Sequence, residues 1–207
     1  MKTVFVQPER CVGCKQCEIA CAVEHSQSKN LYRAVFEKPK PRPRIRVGPG
    51  VYLNSSFPNK CRHCNPAPCM AVCPTAAIGR SPDDENVLID DRKCISCAMC
   101  ALVCPFDVIT YYESAEALQG RTVALKCDHC QDRQTRGLDP ACVEVCKVNA
   151  LQFGDINRLT REASSRLARA VSIAAASVPP EPTRQPEHVE AWRGWGKDIS
   201  KVNERKE

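Results

Sequence analysis

The chain has 207 residues, enough for one or two domains, and no run of about eighteen apolar residues that would predict a membrane span. Aromatic residues make up only 5% of it while cysteine and proline number 16 each, which excludes a core filled mainly by large side chains. The formal net charge of +6 makes the sequence basic by count, but what that charge faces depends on what the cysteines bind.

Met1 to Gln7 alternates valines with polar neighbours and stops at Pro8, which predicts a short strand. Cys11, Cys14, Cys17 and Cys21 follow as C-x2-C-x2-C-x3-C, with Gly13 suited to close backbone approach around a bound group. Cys17 to His25 reads as one or two helical turns, and His25 as a surface histidine rather than a ligand. Ser26 to Pro43 reads as an excursion. Its basic, proline-spaced run Lys38 to Arg44 predicts an extended arm, either solvated or docked on an acidic partner surface. Ile45 to Val47 and Val51 to Leu53, around Gly48-Pro49-Gly50, predict a hairpin.

Cys61, Cys64, Cys69 and Cys73 then form C-x2-C-x4-C-x3-C-P, with His63 placed either to donate to a bound sulfur or to face solvent. Val87 to Asp90 predicts a strand leading into Cys94, Cys97, Cys100 and Cys104, which read C-x2-C-x2-C-x3-C-P. Phe106 to Tyr112 predicts a strand leaving that motif, and Glu113 to Gly120 a loop or short helix. Val123 to Leu125 leads into Cys127, Cys130, Cys142 and Cys146, spaced C-x2-C-x11-C-x3-C. After Asp155 the cysteines stop. Leu159, Ala163, Leu167, Val171 and Ala174 fall near four apart, which predicts an amphipathic helix over 156–177. The remaining 178–207 form a Pro-rich tail with Trp192 and Trp195. Those tryptophans are expected to anchor on a partner, to fold back on the chain itself, or to support self-association.

Four sets of four consume all 16 cysteines. The run C-x2-C-x2-C-x3-C-P is the spacing of cubane iron–sulfur ligation in which the last thiolate serves a second cluster. Four 4Fe–4S clusters are therefore expected. Disulfides fit badly, because the spacings are tight and the first ten residues carry neither an apolar leader nor a twin-arginine signal. A cytoplasmic location is the expectation. Zinc sites usually pair two well-separated C-x2-C units, which three successive thiolates do not resemble. Each oxidised cluster with its four thiolates adds roughly two negative charges, which would bring the loaded protein to about −2, so the basic count does not imply nucleic acid.

The runs C-R-H-C-N-P-A-P-C-M-A-V-C-P-T-A-A-I, K-C-I-S-C-A-M-C-A-L-V-C-P-F-D-V-I and K-C-D-H-C-Q-D-R resemble the four-cluster polyferredoxin electron-transfer subunits. Such subunits accompany tungsten aldehyde oxidoreductases, carbon monoxide dehydrogenases, formate hydrogenlyases and molybdopterin oxidoreductases. The resemblance covers residues 1–155 and implies an α+β fold of two fused ferredoxin-like domains, followed by the C-terminal helix and an extended tail. It implies that the outer motifs, 11–21 and 127–146, pair with each other, as do the inner motifs, 61–73 and 94–104. One cluster would take Cys11, Cys14, Cys17 and Cys146, and its neighbour Cys127, Cys130, Cys142 and Cys21. A third would take Cys61, Cys64, Cys69 and Cys104, and the fourth Cys94, Cys97, Cys100 and Cys73. Ala22 and Lys147 stand where proline is common in the family, and Ser96 where glycine is usual.

With every thiol used as a ligand, the expected function is a non-catalytic conduit for electrons. It would link a catalytic metallo-oxidoreductase subunit to an acceptor subunit or carrier. The favoured partner is a tungsten aldehyde oxidoreductase, ahead of a carbon monoxide dehydrogenase, a hydrogenase or a formate dehydrogenase. A zinc-dependent nucleic-acid module using Lys38 to Arg46, and an iron–sulfur enzyme with an open iron, are the readings set against it.

Overall fold

The computed structural model describes residues 2–50, 55–114, 121–177 and Trp195. The expected strand at Val51 to Leu53, most of the loop after Glu113, and the tail apart from Trp195 lie outside the described residues. Contacts divide the chain into Met1–Thr160 and Arg161–Glu207.

The first unit is a set of short antiparallel ribbons. β1 (Lys2–Val6) pairs with β8 (Leu151–Asp155), in register from Lys2 opposite Asp155 to Val6 opposite Leu151. β2 (Ile45–Pro49) pairs with β3 (Ser56–Lys60), β4 (Ile78–Arg80) with β5 (Val87–Ile89), and β6 (Thr110–Glu113) with β7 (Thr122–Leu125). Helices lie between them: α1 (Gln16–Glu24), α2 (Leu31–Ala34), α3 (Pro68–Ala71), α4 (Met99–Leu102), α5 (Gln131–Thr135) and α6 (Ala141–Glu144). Mixed helix and strand is as expected. Because the first strand pairs with the last of this unit, everything from α2 to β7 is nested inside the chain that closes around it.

A two-stranded ribbon is marginal alone, so stability must come from what the ribbons enclose. They enclose two clusters of apolar residues. The outer one joins Val4, Ile45 and Leu151 to Cys17, Cys21 and Cys142, with Cys146 and Phe153 packed against it. The inner one joins Ile78, Val87, Ile109 and Val123 to Cys94 and Cys100, with Cys69, Cys73 and Cys104 against it. Both cores are therefore built around thiols.

Several elements differ from expectation. The partner of β2 is Ser56–Lys60, which the sequence analysis did not predict as a strand, and its Pro58 sits in a two-stranded ribbon, where an edge tolerates it. The strand after Cys104 begins at Thr110 rather than Phe106, since Asp107 is left-handed (φ 50°) and breaks the extended run. β4, of three residues, was too short to show a period. α2 lies inside the expected excursion, capped by Asn30, whose side chain accepts from Tyr32 N (3.1 Å) and Arg33 N (3.2 Å).

α7 runs from Ile156 to Ser177. Of its expected apolar stripe, Leu159 is buried, whereas Leu167 and Val171 are exposed. No helix among the described residues is long and apolar enough to cross a membrane.

Candidate metal centres

All four C-x2-C turns bend in the same way. The residue before the second cysteine is left-handed in each: Gly13 (φ 71°), His63 (51°), Ser96 (60°) and His129 (59°). Only the first is glycine, and there a Cβ would also fall 2.6 Å from Ser56 Oγ. Ser96 holds the conformation expected of the glycine it replaces, its hydroxyl bonded to Thr122 O. A second left-handed residue, at Ala76, Asp107 and Asn149, follows the last cysteine of three motifs by three positions. Lys147 in place of proline does not disturb that turn. After Cys21, by contrast, α1 simply continues to Glu24.

The turns bring cysteines of different motifs together. One cavity is lined by Cys61, Cys64, Cys69 and Cys104, with Val87, Phe106 and Ile109 in its walls. Another is lined by Cys73, Cys94, Cys97 and Cys100, beside Tyr111. In the outer half α1 packs against α6. Burial pushes the Cys142 thiol well up, and the neighbouring Cys127, Cys21 and Cys130 add to it. Cys17 is pushed up to about 12 by burial first, then by Glu18, with smaller contributions from Cys11 and Cys14. Cys130 reaches about 12, again chiefly by burial. Thiols gathered this way resist ionisation until a cation joins them, so the donor set fits an all-thiolate metal centre. Exposure is graded: Cys14 and Cys97 are exposed, while Cys21, Cys127, Cys130 and Cys142 are all buried.

Polar groups aim at the sulfurs. Backbone N–H groups of Arg44, His63, His129 and Ala124 donate to Cys21, Cys61, Cys127 and Cys94 at 3.2, 3.4, 3.4 and 3.5 Å. Tyr111 Oη lies 3.1 Å from Cys100 Sγ. The basic arm is not a free solvated arm. Arg44 ion-pairs with Asp128, Arg46 bonds to Tyr112 Oη, and Arg42 stacks 4.9 Å over the Tyr112 ring. Nor is His25 a plain surface residue: Nδ1 donates to Cys21 O (2.8 Å), and Nε2 meets Asp128 at 3.1 Å. Burial alone would raise the Asp128 carboxyl. The His25 hydrogen bond and the Arg44 guanidinium outweigh it and hold the group well below the usual carboxylate range. Asp128→Ala strands both partners, and the loaded protein is expected to lose about 2 kcal/mol. Anaerobic thermal unfolding should show this as an apparent Tm lower by about 4–8 °C.

The two halves meet at a repeated sequence. Lys60-Cys61-Arg62-His63-Cys64 and Lys126-Cys127-Asp128-His129-Cys130 are both K-C-x-H-C, and their histidines stack with ring centroids 3.8 Å apart. Both rings are buried, and so are both lysines, Lys60 completely. Asn86 Nδ2 donates to Asp84 (2.7 Å), which orients Asn86 Oδ1 to accept from His129 Nδ1 (2.7 Å). His129 Nε2 is thereby left to accept from Lys60 Nζ (3.0 Å), which also donates to Cys61 O (3.0 Å). Val87 N–H donates to His63 Nδ1 (2.9 Å), which puts the proton of the neutral ring on Nε2. That buried Nε2 has no partner among the described residues. Burial holds His129 down at about 3, with Lys60 and Lys126 adding to it, and holds His63 lower still. Burial lowers Lys60 too, against the opposing pull of Cys127 and Cys142.

A family model for the 4Fe-4S dicluster domain matches residues 53–156. The chain is a member of the 4Fe–4S dicluster family. An iron–sulfur protein of Rhodospirillum rubrum is 36% identical over 173 residues, covering 79% of this chain and 88% of that protein. A component of the anaerobic dimethyl sulfoxide reductase of Escherichia coli is 32% identical over 163 residues, covering 76% and 75%. A longer Escherichia coli protein, the putative oxidoreductase UacF, matches 99% of this chain at 36% identity, but the match spans 29% of that protein. The present protein is thus an iron–sulfur electron-transfer protein with multiple 4Fe–4S clusters, for which 16 cysteines are available.

For a dicluster-family protein, the residues that sequence reading passed over are Lys60, Lys126, His129, Asp128 and Tyr111. The doubled K-C-x-H-C was the available signal for the first three.

Proposed function

We propose that this chain is the non-catalytic electron-carrying subunit of an oxidoreductase complex, in which four clusters form a wire between a catalytic metallo-oxidoreductase subunit and an acceptor. The clusters supply one-electron carriers. The chain's own residues hold them, exclude water and bias their potentials. In this reading the ligand sets are Cys11, Cys14, Cys17 and Cys146; Cys127, Cys130, Cys142 and Cys21; Cys61, Cys64, Cys69 and Cys104; and Cys94, Cys97, Cys100 and Cys73. They sit in two fused ferredoxin-like halves spanning 1–155, followed by the 156–177 helix and the 178–207 tail.

The observation that carries the reading is the grading of exposure. The first and last of these sets each expose one cysteine, Cys14 and Cys97, whereas the second is wholly buried. Two sites with an exposed ligand and one site wholly enclosed suit a relay that accepts at one terminus and delivers at the other. The relatives support a role in electron transfer: one of the subunits of the tetrathionate reductase of Salmonella typhimurium is 31% identical over 165 residues, and a Salmonella typhi relative is named as the electron transfer subunit of thiosulfate reductase. A reductase catalytic subunit of that kind is one form of the partner, and the tungsten aldehyde oxidoreductase favoured from sequence is the other. A cytoplasmic setting, where thiols stay reduced, belongs to the same proposal.

The test uses the complex. Substrate added to the intact complex should reduce the clusters, seen as EPR signals, and then the natural acceptor. Cys97→Ser should cut acceptor reduction at least tenfold while dye-linked turnover, drawn from the catalytic subunit directly, persists. Loss of both together sinks the relay, as does a colourless protein carrying about four zincs.

A further inference from the structure

Each half of the molecule sends a buried cation into the other. Lys60 precedes Cys61 in sequence and donates to its carbonyl (3.0 Å), but its ammonium also reaches His129 (3.0 Å), inside the turn that carries Cys127 and Cys130. Lys126 precedes Cys127 and its ammonium donates to the Cys127 carbonyl (3.1 Å), but it also reaches the carbonyl of Val87, a wall of the cavity lined by Cys61, Cys64, Cys69 and Cys104. Neither lysine has a carboxylate partner among the ion pairs of the described residues, and buried lysines without one are rare. Their counter-charge has to come from elsewhere, and sulfur-rich sites on both sides of the seam can supply it.

The geometry points to a crossed electrostatic tuning, in which Lys60 raises the reduction potential of the cluster at Cys21, Cys127, Cys130 and Cys142, and Lys126 that of the cluster at Cys61, Cys64, Cys69 and Cys104. This rests on the cluster reading above and adds to it a role for two residues that are not ligands. Reduction adds one negative charge to a cluster, and a fixed ammonium nearby, in a medium of low dielectric, favours the reduced form. The stacked histidines at the seam carry no charge of their own, with each proton placed by Asn86 or Val87. Raising both middle sites together would keep the potential level across the seam, where an electron must pass from one half to the other.

The experiment is a redox titration of the anaerobically purified full chain, followed by EPR, with Lys60→Met and Lys126→Met beside it. Methionine keeps the length of the side chain and removes the charge. Each potential is assigned to its site by repeating the titration in Cys130→Ser and Cys64→Ser backgrounds. The expected result is crossed. Lys60→Met shifts the Cys127 site by at least tenfold in its oxidised-to-reduced ratio at fixed potential, about 59 mV lower for a one-electron couple, and leaves the Cys61 site within a third of that. Lys126→Met does the reverse, and Lys60→Arg restores the first shift. Each lysine moving the site next to it in sequence, or neither site moving, overturns the proposal. So does failure of both methionine variants to retain iron, which would make the lysines assembly residues. A wild-type protein without iron would instead sink the cluster reading itself.

Discussion

Stripping iron from the anaerobically purified protein is expected to unfold it, with loss of far-UV circular dichroism and of any cooperative thermal transition. The ribbons are three to five residues long and pair only two at a time. Of the twenty-two buried apolar residues among those described, eight are cysteines and none is aromatic. Without metal, these thiols leave gaps where a core should be, and the apolar area that remains cannot offset the entropy of ordering so much loop. In small metal-built domains one site can contribute about 10 kcal/mol or more, comparable to the whole net stability of about 5–15 kcal/mol usual for a domain. Retention of a cooperative transition in the iron-free chain would mean that the ribbons and apolar clusters suffice alone.

Cys104→Ser is expected to damage a site that its own motif does not otherwise furnish. The cavity it lines is shared with Cys61, Cys64 and Cys69, while Cys94, Cys97 and Cys100 line a different one with Cys73. Iron content should fall by about four per chain, or by about one if a three-iron cluster survives. The EPR signal lost or altered should be the one that Cys64→Ser also alters, and distinct from the one altered by Cys97→Ser. A Cys104 variant that matches Cys97→Ser instead would show that each motif closes its own cluster. The paired comparison settles the ligand sets without needing to know the physiological partner.

Much of the site was legible because ligation is written in spacing. A thiolate loop must place donors at fixed steps, and C-x2-C-x2-C-x3-C-P records those steps directly. The strand at Lys2–Val6 was equally visible from its alternation and from Pro8. What escaped was short or tertiary. β4 has three residues, too few for any period. α2 has four, although Asn30 at its N-cap was a usable signal. Lys60 and Lys126 look like surface lysines beside a ligand, because nothing local says that a cation will be buried. Their burial depends on two turns, sixty-six positions apart in sequence, meeting face to face. The Lys38 to Arg46 arm misled for the same reason, since Asp128 and Tyr112 receive it from far along the chain.

Nesting has a consequence for how the molecule comes into being. Chains emerge from the ribosome N-terminus first, and domains tend to fold as they emerge. Here β1 and α1 emerge before the inner half but wait for α6 and β8, so Cys21 stays without Cys142 while the whole inner half is made. The inner half, by contrast, has all its cysteines available once Cys104 is out, and its last ribbon once β7 is out. Assembly therefore has a direction, from the middle outward. Of these sixteen thiols, the first four made are among the last to be enclosed, which leaves the Cys11 to Cys21 motif the cysteine motif most exposed to oxidation during synthesis.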